Sequence, residues 1–270
     1  QSAQQRDSAA TPPTGREAAR LQAAAGPNAG AWLYGSVGQT MPQLWLGPQS
    51  FRAFVRFRLG VAVIPEGRAC IGCGVRQGAG TDMHGDHTLA CTGGGWKTRG
   101  HNHVADVIAA FARNAAATVA REQCLFADNA KRLDVIVSLP ADPTRRFLVD
   151  VAITHPLSAS TLARKEVGPG VAATLYERQK RHKYDADIAA HNSAAGESDT
   201  FVLVPAVFDT FSAMSESANA FLDALTKSWA LMSGLPLAVA VRIMRLRVSH
   251  AVARMTGGHL AAAAASLGGL

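Results

Sequence analysis

The sequence lacks the features that mark membrane-spanning, secreted and disordered proteins. Its apolar runs stay below the roughly 18 residues that a transmembrane helix needs, so we expect no membrane-spanning segment and no membrane partner. Residues 1–20 have neither the apolar core of a secretory signal nor a Met, and we expect the chain to be part of a longer one. Charged residues are scarce at 17%, but hydrophobic residues make up 48%, which excludes a wholly disordered chain.

Lysine is rare, and the positive charge of the chain is therefore mostly arginine. Lys and Arg total 27 against 20 for Asp and Glu, which gives a net charge of +7 and a sequence pI near 9.6. Because the Arg guanidinium pairs with phosphate through two hydrogen bonds, this composition favours a polyanionic partner. A GC-rich genome, which enriches Arg and Ala, explains the same composition equally well.

Cysteine occurs only four times, and three of the four residues lie close together beside histidines. That clustering is typical of metal binding in a reducing compartment rather than of a disulfide framework. The Cys70-x-x-Cys73 and His87-x-x-x-Cys91 pairs have the spacing of a structural zinc site. We therefore expect Zn²⁺ to be held by Cys70, Cys73, His87 and Cys91, a set called the zinc knuckle below, and to stabilise the Gly-rich stretch 66–100.

Two neighbouring residues bear on this assignment. His84 is a rival third ligand, but His87 has the usual three-residue gap to Cys91 and His84 does not. Cys124 stands alone beside a predicted strand, and we expect it to be buried in the core. Because the protein fills all four zinc positions, we expect a structural metal rather than a catalytic one.

The chain is predicted to have four parts, with an α/β core. A disordered tail or linker covers 1–29, a lead segment with the zinc knuckle covers 30–100, the core covers 101–232, and a C-terminal helical extension covers 233–270. Apolar periodicity and turn residues predict a helix over 51–59 ended by Gly60, a helix over 102–121 with Asn102 as N-cap, strands over 133–140 and 147–154 around an ADPTRR turn, a helix over 170–190, a strand over 200–211, and helices over 213–232 and 237–256.

Two aspartates lie within the apolar strand runs of the core. Asp134 follows Leu133 in the first strand, and Asp150 lies within LVDVAI in the second. A buried carboxylate is costly unless a cation or donors compensate it, and two on paired strands can lie side by side. We expect antiparallel pairing in the middle of a sheet of at least three strands, with carboxylates about 4–6 Å apart and one raised pKa. Such a pair can hold Mg²⁺ for in-line attack of water on a phosphodiester.

The helix predicted over 170–190 carries lysines that could complete this site. Glu177, Lys180, Lys183 and Tyr184 have helical spacing and are expected on one face. A Lys there could orient or deprotonate the attacking water or stabilise developing charge, and Lys180 is the better candidate. The alternative is a solvated helix face with ordinary Glu–Lys pairs.

Together these motifs resemble the C-terminal restriction-enzyme-like endonuclease of non-LTR retrotransposon polyproteins, a member of the PD-(D/E)xK superfamily. The resemblance runs from Cys70 to about Tyr184. It rests on the zinc knuckle, the His101-Asn102 pair with Arg99 one residue displaced, Arg132-Leu133-Asp134 in the place of R-P-D, the second acid Asp150, and Lys180 and Lys183 in ERQKRHKY. The sequence departs from the wider superfamily at Ala152, where those nucleases carry Lys, so that a helix lysine has to replace it.

The resemblance implies a fold and a function. The fold is a PD-(D/E)xK-like mixed β-sheet flanked by helices and preceded by the small zinc knuckle, with 101–232 as the nuclease core. The function is a Mg²⁺-dependent endonuclease that nicks double-stranded DNA for retrotransposon insertion in the nucleus. Its implied partners are the element RNA and the reverse transcriptase domain of the same polyprotein. The alternatives are a catalytically inactive nucleic-acid-binding module with a structural zinc and, less favoured, a protein-assembly domain.

Three further features have both a functional and a structural explanation. Glu122 is an additional metal-site acid or a surface charge, and His155 is a phosphate contact or, more in keeping with Pro156, a strand-terminal turn residue. The helix over 242–254 carries four arginines that do not form one stripe. It either contacts a nucleic-acid backbone or, as we favour, is an amphipathic packing helix.

Overall fold

The structure is a computed structural model that describes residues 15–36, 44–64, 70, 72–74, 82–126, 131–164 and 168–266. Its helices are α1 (Gly15–Ala24), α2 (Leu33–Ser36), α3 (Pro48–Arg58), α4 (Asp86–Ala90), α5 (Trp96–Asn114), α6 (Ala159–Leu162), α7 (Val171–Ala195), α8 (Glu216–Ser233) and α9 (Leu237–Ser266). Its strands are β1 (Thr118–Cys124), β2 (Arg132–Leu139), β3 (Asp142–Thr154) and β4 (Thr200–Asp209). A membrane crossing would need a longer apolar stretch than any helix within these ranges provides.

The four strands form one mixed sheet in the order β1-β2-β3-β4. The first two pairs are antiparallel, and β3 and β4 are parallel. A parallel pair needs a crossover connection, and α7 supplies it between β3 and β4. The predicted antiparallel pairing of the two aspartate strands, in the middle of the sheet, is confirmed.

Helices cover both faces of the sheet because apolar side chains alternate along the central strands. Val135 and Val137 of β2 lie in a core cluster with residues of α5, α8 and α9. Ile136, on the opposite face, packs with Tyr184 and Ile188 of α7. The described residues therefore form a mixed α/β fold with helices on both faces of a four-stranded sheet. The predicted α/β class is confirmed.

A second core cluster lies away from the sheet and joins the N-terminal segments to α9. It contains Trp32, Phe54 and Phe57 from the lead segment, Trp96 at the start of α5, and Leu260 of α9. Helices α3 and α9 approach closely where α9 has a glycine, since a Cβ at Gly257 would collide with the carbonyl oxygen of Ser50.

The structure corrects the first of the predicted parts and shows that the last is helical, as expected. The tail predicted over 1–29 contains α1, which is ordered because Ala19 and Ala23 pack into the second cluster and the buried Arg20 donates to Glu17. Residues 1–14 lie outside the described ranges. The extension predicted over 233–270 contains the helix α9, which contributes side chains to both core clusters.

The start and end of the helix predicted over 102–121 also need correction. The helix α5 begins at Trp96, with the left-handed Gly95 rather than Asn102 as N-cap, so the boundary predicted at residue 100/101 falls inside it. It ends at Asn114, and the strand β1 that follows was not predicted. The ADPTRR turn is shorter than predicted, because β3 already begins at Asp142.

Candidate active site and metal centre

The predicted zinc ligands come together in the structure. One ligand atom from each of Cys70, Cys73, His87 and Cys91 lies within 4.8 Å of all the others. The Cys73 Sγ–His87 Nε2 distance is 3.4 Å, close to the about 3.6 Å expected for two ligands of a tetrahedral zinc ion. This Cys₃His cluster could bind a metal such as zinc. His84, the rival ligand, is not part of it.

Short turns position these ligands. The helix α4 begins after the left-handed Gly85, carries His87 in its first turn and ends directly before Cys91, so one helical turn brings this pair together. Backbone N–H groups point at two sulfurs, since Gly72 N lies 3.4 Å from Cys70 Sγ and Gly93 N lies 3.3 Å from Cys91 Sγ. Such donors stabilise thiolate, which is the form that binds metal.

A hydrogen-bond chain joins α4, which carries the zinc ligand His87, to the sheet. His155, at the end of β3, is only 3% exposed. Its Nε2 lies 3.1 Å from Asp86 Oδ1 in α4, and its Nδ1 lies 2.8 Å from Thr210 Oγ1. Burial raises the pKa of Asp86, but hydrogen bonds from His155 and Arg16 outweigh it and lower that pKa below its usual range. His155 is therefore a strand-terminal turn residue, as favoured, and its buried side chain also connects α4 to the sheet.

The two strand aspartates lie on neighbouring strands at the centre of the sheet. Val135 and Val149 are the last pair of the β2–β3 ladder, and Asp134 and Asp150 are the next residues beyond that pair. Both side chains are buried. Asp134 Oδ1 lies 2.9 Å from His101 Nε2, and its Oδ2 accepts a 2.7 Å hydrogen bond from Val151 N. Both oxygens of Asp134 therefore have donors.

Asp150 has a different environment. Its Oδ1 accepts a 2.7 Å hydrogen bond from Lys180 Nζ. Its Oδ2 is buried and, within the described ranges, has no hydrogen-bond partner. A buried carboxylate oxygen without a donor is rare in proteins and is a place where a cation could bind.

These environments shift the pKa values of the two carboxyl groups in opposite directions. Burial raises the pKa of Asp150 although Lys180 and the hydroxyl of Tyr184 oppose it, and the charge of Asp134 raises it further. Burial also opposes ionisation of Asp134, but the hydrogen bond and charge of His101 outweigh burial and lower its pKa. One raised pKa was predicted from mutual repulsion, whereas burial is the larger cause. Burial, followed by the charge of Asp150, also raises the pKa of Tyr184.

The lysine helix differs in detail from the prediction. Lys180 reaches Asp150, but Lys183 Nζ lies 3.0 Å from the hydroxyl oxygen of Tyr184 and 4.6 Å from its ring centre. Glu177 does not share their environment, because it is buried against α8 and accepts from Ser217 N at 3.4 Å. A carboxylate is favourable there, since Ser217 lies in the first turn of α8. The expectation that the four residues share one face is therefore wrong for Glu177, whereas Lys183 lies at the Tyr184 hydroxyl and not at Asp150.

A cleft of about 260 Å³ opens beside Lys180. Its cationic and imidazole groups come from three elements: Lys97 and His101 of α5, Arg132 of β2 and Lys180 of α7. Sequence reasoning missed Lys97, although its spacing of four residues from His101 on one helix was a readable signal. Positive charge on the wall of a concave site suits a phosphate-bearing ligand.

Two other predicted positions lie elsewhere. Glu122 forms a 3.3 Å ion pair with Arg132 Nη1 at the edge of the sheet, and both side chains are about half exposed. Cys124, expected in the core, is exposed at the end of β1, because that strand is mostly open to solvent there.

No protein-family model matches the sequence, and no curated protein is significantly similar to it.

Proposed function

We propose that the chain is a Mg²⁺-dependent endonuclease acting on double-stranded DNA. A single observation carries the proposal: the buried Asp150 has one oxygen on Lys180 and the other without a donor among the described residues, and a second buried carboxylate, Asp134, lies on the neighbouring strand close enough for the two charges to interact. Paired acids and a lysine beside a cationic cleft match the needs of phosphodiester hydrolysis. The mixed sheet with its flanking helices supports a PD-(D/E)xK-like core.

Asp134 and Asp150 would hold the Mg²⁺, and the unpartnered Asp150 Oδ2 is the free acceptor that such a site requires. When bound, Mg²⁺ supplies Lewis-acid stabilisation of the charge that develops on the phosphate. His101 and the Val151 N–H hold the Asp134 carboxylate ionised and fixed in direction. Lys180, only partly exposed, donates to Asp150 and is positioned to stabilise negative charge in the cleft.

Ala152 explains why the lysine has to come from a helix. It packs with Ala173 of α7 and Val207 of β4, in a small cluster on the face of the sheet that α7 covers. The lysine that related nucleases carry at this place is absent, and Lys180, on the same helix as Ala173, reaches the neighbouring Asp150 instead.

The biological role follows from the resemblance in the sequence. The zinc knuckle lies beside the catalytic cleft, since Lys97 of that cleft donates a 2.7 Å hydrogen bond to the carbonyl oxygen of Ala90, next to Cys91. Zinc there would fix the start of α5 and so place His101. We propose that the chain nicks nuclear DNA for retrotransposon insertion and works with a reverse transcriptase domain and the element RNA.

The testing experiment measures nicking of supercoiled plasmid by the zinc-loaded chain, with and without Mg²⁺. We expect Mg²⁺-dependent conversion to the open circle, abolished in Asp150→Asn. Lys180→Ala should slow nicking at least about tenfold because a charge-stabilising group is lost. Lys183→Ala is the matched control, since it removes a neighbouring lysine that contacts Tyr184 and not Asp150. Equal effects of the two lysine variants would contradict the assignment of Lys180.

A second candidate function is a nucleic-acid-binding module without catalysis. The observation that favours it is that Lys180 and His101 already pair with Asp150 and Asp134, so the network is partly compensated without a metal. In that case the wild-type chain binds DNA with steep salt dependence but does not nick it with Mg²⁺. The plasmid assay, run beside a DNA-binding titration in increasing salt, separates the two candidates.

A further inference from the structure

A second cleft, of about 240 Å³, lies between α5 and α9, away from the two aspartates. Its walls combine apolar side chains with arginine and histidine. The lining residues are Leu44, His103, Val107, Ala110, Phe111, Arg247, His250, Ala251 and Arg254. His103 and His101 are two positions apart on α5 and so face nearly opposite directions, which separates this cleft from the catalytic one.

Within the part of the chain that the structure describes, the charged and titratable residues that line this cleft are all basic. They are His103 on α5 and Arg247, His250 and Arg254 on α9, and none of the described lining residues is a carboxylate. The acid that follows His103 by one turn of α5, Asp106, is ion-paired with Arg121. Positive charge is thus concentrated in the cleft without a compensating acid on its walls.

Two nitrogen atoms of the cleft are buried and lack hydrogen-bond partners within the described ranges. They are Nε2 of His250, a residue only 3% exposed, and Nε of Arg247. The Arg247 guanidinium lies 5.4 Å from the ring centre of Phe111, which holds it over the apolar part of the cleft. Buried nitrogen groups normally have partners; Arg247 Nε–H is always a donor and His250 Nε2 is a donor when it carries the proton, so both suit a ligand with oxygen acceptors.

We propose that this cleft binds the phosphate group of a nucleotide, either free or within a nucleic-acid strand. The guanidinium groups of Arg247 and Arg254 suit a tetrahedral oxyanion, and the imidazolium of His250 adds a donor when it is protonated. The apolar wall formed by Val107, Ala110 and Ala251 leaves room for the sugar or base. This cleft is separate from the proposed nuclease site, so a test of either site does not decide the other.

The protonation of His250 provides a readout. Burial, together with the charges of Arg254 and His103, lowers its pKa to about 4, although a hydrogen bond with the backbone of Leu44 opposes this shift. A phosphate dianion in the cleft would offset these neighbouring charges and favour the imidazolium. Bound phosphate should therefore raise the pKa of His250.

The experiment is an NMR titration of the full zinc-loaded chain with ¹³C-labelled histidine, using inorganic phosphate as the first probe. We expect the His250 and His103 ring signals to shift saturably and the His250 pKa to rise. Sodium chloride at matched ionic strength should give neither effect. No saturable shift with phosphate, or an equal shift with chloride, would overturn the proposal.

Variants and a second probe complete the design. Arg254→Gln changes an exposed side chain and should weaken phosphate binding about tenfold, because one charge-assisted contact is lost. Arg242→Gln is the matched control on the same helix, because Arg242 is exposed, lies 5.3 Å from the Tyr34 ring centre and does not line the cleft. Equal weakening by both variants would contradict a defined site.

A short single-stranded oligonucleotide then distinguishes the sources of the phosphate. If it shifts the same signals and competes with inorganic phosphate, the cleft binds a nucleic-acid strand. If only the free anion binds, the ligand is a free phosphate or nucleotide, which a titration with a nucleoside monophosphate identifies. Both results support the phosphate site, and neither rescues it if inorganic phosphate itself gives no saturable shift.

Discussion

The two aspartates should respond oppositely to the same substitution, because their surroundings differ. In Asp134→Asn the new amide has one acceptor oxygen for two donors, His101 Nε2 and Val151 N. One donor is left unsatisfied in a buried place, which costs about 1–3 kcal/mol. In Asp150→Asn the amide oxygen keeps the Lys180 hydrogen bond, and the unfavourable burial of a charge is removed.

We therefore expect Asp150→Asn to change the free energy of unfolding by less than about 1 kcal/mol, or to increase it. Asp134→Asn should lower it by about 1–3 kcal/mol. The measurement is urea denaturation at pH 7, with zinc retained and no Mg²⁺ added. If Asp150→Asn is the more destabilising of the two, the description of the site is wrong.

The pH dependence of the free energy of unfolding tests the same difference between the two aspartates a second time. The folded-state pKa of Asp150 is raised, so its favourable contribution is present below the unfolded value of about 3.9 and is lost as pH rises through the folded value. The folded-state pKa of Asp134 is lowered, so its contribution is present above about 3.9 and is lost as pH falls through the folded value. The advantage of Asp150→Asn over wild type should therefore disappear in acid.

Three further outcomes are expected. Elemental analysis of protein purified without added metal should find about one zinc per chain, and Cys73→Ser should lose it; an unchanged zinc content would contradict the ligand set. Gly257→Ala should destabilise the protein by about 1–3 kcal/mol through collision with Ser50. Gly258→Ala is the control: its added Cβ would make only an ordinary 3.8 Å contact, so thermal denaturation should show unchanged or increased stability. Equal losses of stability in the two variants would refute the close approach of α3 and α9. Burial raises the pKa of Asp209 to about 7, so its stabilising contribution is lost as pH rises through 7. Asp209→Asn should therefore be relatively more stable at pH 8 than at pH 6, and a pH-independent difference in urea denaturation would contradict this.

The sequence was most informative where apolar runs and turn residues agreed. The β-branched runs around Asp134 and Asp150 predicted two paired strands, and their register follows from the same alternation. The CxxC and HxxxC spacings predicted four side chains that the structure does bring together. Both signals are local, so that no knowledge of distant contacts was needed.

Errors arose where tertiary contacts override local patterns. The strand β1 carries the polar residues Arg121 and Gln123 and is mostly open to solvent, so it lacks the apolar pattern of a strand. In addition, the helical spacing of apolar residues in α5 continues in the sequence as far as Val119, and this part of β1 was therefore assigned to the helix. Left-handed Ala116 breaks the helix, a conformation that alanine rarely adopts and no pattern indicates.

Distant partners account for the remaining differences. Glu177 has ordinary helical spacing from Lys180, but its contact with Ser217 depends on how α8 packs. His155 likewise reaches Asp86, 69 positions earlier in the chain. Pattern reasoning placed these residues on the right elements but could not assign their partners, because the partners come from other elements.

The central claim is that Asp134 and Asp150 together hold one divalent cation, and the most direct measurement is a Mn²⁺ titration followed by electron paramagnetic resonance. Mn²⁺ stands in for Mg²⁺ because both prefer carboxylate oxygens. The account predicts one site per zinc-loaded chain that Mg²⁺ displaces and that Asp150→Asn weakens at least about tenfold, through loss of a charged ligand. Lys183→Ala should leave the site unchanged. Mn²⁺ binding that is equally strong in wild type and Asp150→Asn, or no saturable binding in wild type, would contradict the account.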